Sequence, residues 1–137
     1  MKIEDCIFYQ LNKANQAGGR FLSEKLAPLG VTAAQGLALN SLLDADEVRS
    51  SQLGQRTKLD SATLTGILDR LEAMEFVERR AHPADRRAIL VCLTRKGKKI
   101  ASEVHATVVR ANRELLTDFG ATEEKALRGM LQRLHQG

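Results

Sequence analysis

The residues best placed to do chemistry lie in one stretch, "AHPADRRAILVCLTRKG", residues 81–97. Asp85, Arg86 and Arg87 crowd beside a proline at the tip of a predicted β-hairpin, after which the chain turns apolar. Such a charge cluster is a poor way to stabilise a turn, but it suits a turn that must touch a polyanion. The other reactive side chains form no comparable set. His82, His105 and His135 fall on different elements with no i, i+4 pair, which argues against a metal site. No Gly-rich phosphate loop or Ser/His/Asp arrangement is present, so the chain reads as a non-enzyme that needs no cofactor.

Charge follows the same stretch. Residues 49–99 carry 12 Lys and Arg against 6 acids, a net +6, whereas the whole chain is +4 and the remainder therefore −2. A basic middle between slightly acidic ends is the footprint of a polyanion contact, with a merely solvated basic face as the alternative. Aromatics at 4%, with no Trp and one Tyr, leave no stacking platform for single-stranded nucleic acid. The 137 residues suit one globular domain. Cys6 and Cys92 lack CxxC spacing, and "MKIEDC" has acids where a signal peptide needs an apolar run, so a reducing, cytoplasmic setting is expected. The uncharged stretch 26–43 contains Pro28, two glycines, Gln35 and Asn40 and reads as a helix junction, with no membrane contact.

The elements that must position the arginines follow from periodicity. Ile3, Ile7, Leu11, Ala14, Gly18, Phe21, Leu22 and Leu26 recur at helical steps, predicting one long helix that stops before Pro28. Thr32 and Gln35 form a capping-box pattern for a second helix reaching about Leu43. "DADEVRS" is a polar break, and Ser50 or Ser51 caps a short third helix ending near Thr57. Asp60 then caps a fourth, with Leu64, Ile67, Leu68 and Leu71 as its apolar stripe. Its opposite face shows Ala62, Thr65, Gly66, Asp69 and Ala73, flanked by Thr63 and Arg70, where a plain surface helix would carry Lys and Glu. Small residues let a nucleic-acid edge approach closely. After the hairpin, Thr94 caps a helix running to Phe119, Gly120 ends it in the C′ role, and a last helix carries Leu127, Met130, Leu131 and Leu134.

Short helix, turn, helix and charged hairpin between long helices predict a mainly α fold: a winged helix-turn-helix, a three-helix core plus β-hairpin wing, embedded in a helical dimerisation frame. The second helix of such a unit enters the major groove, and wing arginines suit the narrow, electronegative minor groove beside it. Asp85 is expected to hold one guanidinium in a fork-type pair. Ile3, Ile7, Phe8 and the apolar residues of the last helix exceed what the chain ends can bury by themselves, which predicts a homodimer.

"DRRAILVCLTRKG" and "ATLTGILDRLEAMEFVERR", in this order, resemble the MarR (multiple antibiotic resistance regulator) family of bacterial transcription regulators, and the resemblance spans essentially the whole chain. It implies a single domain over 1–137, with 1–30 and 95–137 forming the helical dimerisation region and 31–94 the DNA-binding lobe. It further implies a homodimeric, sequence-specific repressor on double-stranded DNA with a palindromic operator, released by a small aromatic or phenolic effector. Position by position, Ser61, Ala62, Thr63, Thr65, Gly66 and Arg70 fall on the recognition helix, and Asp85, Arg86 and Arg87 on the wing. Glu75 departs from the family, which commonly has Gly there to end the helix. The peroxide-sensing branch uses a first-helix cysteine assisted by tyrosines. Here Cys6 has only Tyr9, so a buried structural thiol is the favoured reading and a redox-sensing regulator the alternative. A winged-helix protein-interaction module that binds no DNA is the other alternative. No residue marks an effector pocket, although Arg20 could pair a carboxylate.

Overall fold

The computed structural model describes residues 1–136, in which six α-helices surround a three-stranded antiparallel sheet. The first helix starts later than its periodicity predicts. Ile3–Asp5 form a single 3-10 turn, Cys6 is extended (φ −71°, ψ 122°), and α1 runs Ile7–Leu26. The turn is held by the Gln10 side chain, which donates to the Glu4 carbonyl at 2.9 Å. Beyond α1, Pro28 sits in a 3-10 turn over Ala27–Leu29, and Gly30 supplies the left-handed conformation (φ +75°) that reverses the chain.

Helix α2 (Ala33–Asp44) has the expected reciprocal cap. The Gln35 amide donates to Thr32 Oγ1 at 3.1 Å, and the Thr32 amide donates to Gln35 Oε1 at 3.0 Å. The polar break that follows contains an unexpected strand, β1 (Val48–Arg49). Two residues are too few for a visible alternation, so the strand is set by its partner instead. Helix α3 (Ser50–Thr57) is capped not by Ser50 or Ser51 but by Gln52, whose side chain accepts the Arg49 amide at 3.1 Å. Helix α4 (Ser61–Ala73) has Asp60 as its N-cap, accepting the Thr63 amide at 2.8 Å.

The hairpin strands β2 (Val77–Ala81) and β3 (Ile89–Leu93) pair from Val77↔Leu93 at the base to Ala81↔Ile89 at the tip. Strand β1 adds to the other side of β3, giving the order β1-β3-β2. Asp46 anchors this edge, accepting the Leu93 amide at 2.8 Å. Helix α5 (Arg95–Leu115) starts at Thr94, which accepts the Gly97 amide at 2.9 Å, and it ends before Phe119. Gly120 is not its terminator. With φ −71° and ψ 164° it is the N-cap of α6 (Ala121–His135), and its amide donates to Glu123 Oε1 at 3.0 Å. A turn at 116–119 separates the two helices, so no left-handed residue is needed.

One core unites the lobe with α1 and α5. Leu26, Leu39, Leu42, Leu53, Leu71, Val77, Val91 and Val104 are fully buried in it. Gly97 is required at its edge, because a Cβ there would collide with the Phe76 carbonyl. That close approach fixes where α5 leaves the wing.

Candidate nucleic-acid interface

Helix α4 turns Leu64, Leu68 and Leu71 into the core and leaves Ser61, Ala62, Thr63, Thr65, Gly66 and Arg70 exposed, as their spacing requires. Beyond its chain neighbours and the helix's own backbone, no atom lies within 4 Å of a Cβ built on Gly66, so the backbone is bare there. The hydroxyls are partly committed. Thr63 Oγ1 donates to Asp60 Oδ2 at 2.9 Å, and Thr65 Oγ1 donates to the Ser61 carbonyl at 2.8 Å. Thr65 therefore presents its methyl group and spare acceptor lone pairs rather than a free donor. The Thr63 amide and hydroxyl together hold the Asp60 carboxyl below its ordinary pKa.

The wing tip is built by backbone and short side chains. The Ala88 amide donates to the Asp85 carbonyl at 3.1 Å, and the Ala84 amide donates to His82 Nδ1 at 3.0 Å. Asp85 does not make the expected fork with a guanidinium. Its Oδ1 accepts the Arg87 backbone amide at 3.0 Å, because a short carboxylate reaches the amide two residues on more easily than a long side chain's end. Among the described residues, Arg70, Arg86 and Arg87 enter no salt bridge. The two wing arginines are exposed and free for an external anion. Between the wing and the helices lies an open cleft of about 640 Å³, bordered by Ser51, Gln55, Ser61, Thr65, Arg79 and Ile89.

The sequence reading missed the ion pairs that flank this surface. From β2, Arg79 contacts Asp69 of α4 and lies 3.5 Å from Glu72, while Arg80 pairs with Glu78 at 2.8 Å. The i, i+3 spacing of Asp69 and Glu72 was the available signal, but it names no partner ten residues away in a strand.

Away from the lobe, Cys6 is half-buried at the N-cap position of α1, not enclosed within a helix as expected. Cys92 is buried in β3, and desolvation pushes its thiol above the ordinary value. Arg20 is exposed. No group of three or more His, Cys, Asp or Glu among the described residues could hold a metal ion. Among them no single helix is long and apolar enough to cross a membrane.

A short helix, a turn, a second helix with a bare outer face and a basic hairpin define the winged helix-turn-helix class. The comparisons narrow this. Residues 31–89 match the model of the MarR family. The multiple antibiotic resistance protein MarR of Escherichia coli is 34% identical over 125 residues, covering 90% of this chain and 87% of that protein. A crystal structure of a probable transcriptional regulator from Pseudomonas aeruginosa superposes with a TM-score of 0.90 at 32% identity, covering 97% of this chain and 99% of the other. A mutant of E. coli MarR complexed with operator DNA gives 0.84 at 34%, covering 91% and 90%. The chain belongs to the MarR family of transcription regulators.

Proposed function

We propose that the protein is a homodimeric repressor that reads a palindromic operator with α4 in the major groove and Arg86 and Arg87 at the minor groove. The observation that carries this is the bare face of α4 beside two unpaired wing arginines on the same lobe. The operator-bound E. coli relative supports it. Residues 31–94 form the DNA-binding lobe in this reading, and 1–30 with 95–137 the dimerisation region. The exposed Ile3, Ile7, Phe8, Met130, Leu131 and Leu134 supply the two-fold contact. Two recognition helices then stand about 34 Å apart, one turn of DNA.

An effector site fits within the helical region, where α1, α5 and α6 meet Leu37 of the lobe. A cavity of about 310 Å³ is lined by Phe21, Leu22, Leu37, Val108 and Leu131, with Asn112 and Arg128 as its polar members. That lining suits a small aromatic acid, whose binding would release the operator. Arg20 does not line it.

The test is affinity for a duplex selected from a randomised pool against a scrambled duplex, over a range of salt. The selected duplex should bind at least about 10³-fold more tightly. Arg87→Ala should weaken both duplexes and reduce the salt slope by about 0.9, the share of one phosphate contact. Thr65→Ala should instead narrow the discrimination, by about 1–3 kcal/mol. Equal binding to both duplexes by the wild-type protein would favour a protein-interaction module.

A further inference from the structure

We infer that Arg79 is a positioning residue for operator recognition, locking α4 to the first wing strand and withdrawing two carboxylates from the DNA-facing surface. The inference rests on the proposed reading of α4 as the groove-reading helix.

Asp69 lies one turn beyond Thr65 and Gly66, so it shares their face. A free carboxylate there would offer an acceptor to the wrong bases. Arg79 reaches across from β2 to contact Asp69, and its Nε stands 3.5 Å from Glu72 Oε2. The residue is placed where an apolar side chain is ordinary, since it lies on the same side of β2 as the buried Val77 two positions earlier. Its Nε is buried and makes no hydrogen bond, so the site does not fully compensate the guanidinium. An apolar residue would serve the fold as well or better. The Asp69 and Glu72 side chains are 62% and 49% exposed, so these pairs add little to stability. What the arrangement does supply is a link between recognition helix and wing, and a guanidinium that offsets part of the negative charge of Asp69 and Glu72.

The test uses the full chain with Arg79→Ala, Arg79→Lys, Asp69→Asn and the Arg79→Ala/Asp69→Asn pair. Each is measured against selected and scrambled duplexes over a salt series, together with a thermal melt. Arg79→Ala should melt near the wild-type temperature and lower the selected-to-scrambled ratio about tenfold, a typical size for coupled neighbours. The salt slope should stay unchanged, because Arg79 touches no phosphate. In the Asp69→Asn background the same substitution should cost less than about threefold, and Arg79→Lys should restore part of the ratio. Should Arg79→Ala fail to fold, Arg79→Met retains the stem's packing and carries the same measurement. An unchanged ratio overturns the inference. So does a salt slope reduced by about 0.9, which would make Arg79 a direct phosphate contact, or an equal loss in both Asp69 backgrounds. If the wild-type protein fails to distinguish the duplexes, the DNA-binding reading falls and takes the inference with it. That outcome is read first and is separable from the others.

Discussion

The lobe around α4 and the frame at the chain ends obey different rules. In the lobe, Leu39, Leu42, Leu53, Leu71, Val77 and Val91 are fully buried, and Arg79 is a charged residue with a buried side-chain nitrogen. In the frame, α6 buries no residue, Phe8 is 78% exposed and Leu134 60%. The lobe's apolar residues find partners within the chain, as do Leu26, Ala101 and Val104 of the frame, whereas those at the chain ends do not. Apolar surface of that extent is stable in water only when something covers it. The core around the lobe is closed within the chain, and the apolar surface at the chain ends is what the proposed second copy would cover.

The comparison can be broken most directly by cutting into each region. Leu53→Ala removes a fully buried side chain from the lobe and should cost about 2–5 kcal/mol in a denaturant titration. Leu134→Asp should leave helix content intact by circular dichroism but shift sedimentation toward a monomer at micromolar concentration. If Leu134→Asp unfolded the lobe, or left assembly untouched, the two regions would not be independent in this way. Both proteins must be compared at one concentration, because dimerisation itself stabilises the folded state.

The seam between lobe and frame should be nearly as sensitive. At Gly97 an added methyl meets backbone, which cannot step aside, so Gly97→Ala should cost about 3 kcal/mol. Gly36→Ala offers the control. Its added methyl meets the end of the flexible Leu26 side chain, which can change rotamer, so its cost should be markedly smaller. Equal melting temperatures for the two variants would show that the Phe76 approach is not rigid.

Gly66→Ala sharpens the comparison within α4 itself, by separating what the fold needs from what the interface needs. Nothing occupies the space beside Gly66, and Ala is the better helix former by about 1 kcal/mol. The melting temperature should rise while affinity for the selected duplex falls. A rise in both would mean that no partner approaches this face.

How much of this was legible depended on whether a residue's partner was local. The Thr32–Gln35 box and the Asp60 and Thr94 caps have partners three residues away, the stripe of α4 repeats at local steps, and the structure shows each as its spacing predicts. Strand β1 exists only because β3 offers it an edge, and Arg79 depends on acids in another element, so neither announced itself. Asp85 was assigned to a guanidinium because charge pairing is easy to imagine from a sequence. The backbone amide that it accepts is invisible there. Gly120 shows the converse, since a glycine between two helices can cap the second as readily as end the first.

Glu75 is the smallest and most local case. It occupies φ +64°, the left-handed region that glycine enters freely and other residues enter at a cost. The left-handed residue closes α4, letting the Phe76 amide reach back to the Leu71 carbonyl at 2.9 Å, and Thr94 seals the turn: its Oγ1 donates to the Glu75 carbonyl at 2.6 Å, and its amide donates to the Phe76 carbonyl at 3.1 Å. These contacts all use backbone carbonyls, so none depends on the glutamate side chain. What that side chain adds is a 3.9 Å approach to Lys96 between two well-exposed groups, a pair of negligible worth. Glu75→Gly should therefore keep every structural contact and relieve the strain. Glycine's greater freedom in the unfolded chain offsets part of the gain, leaving about 0.5–1 kcal/mol and a rise of a few degrees in melting temperature. Glu75→Ala retains the strain and should melt with the wild type. A gain from Ala equal to that from Gly would locate the cost in the side chain and not in the backbone.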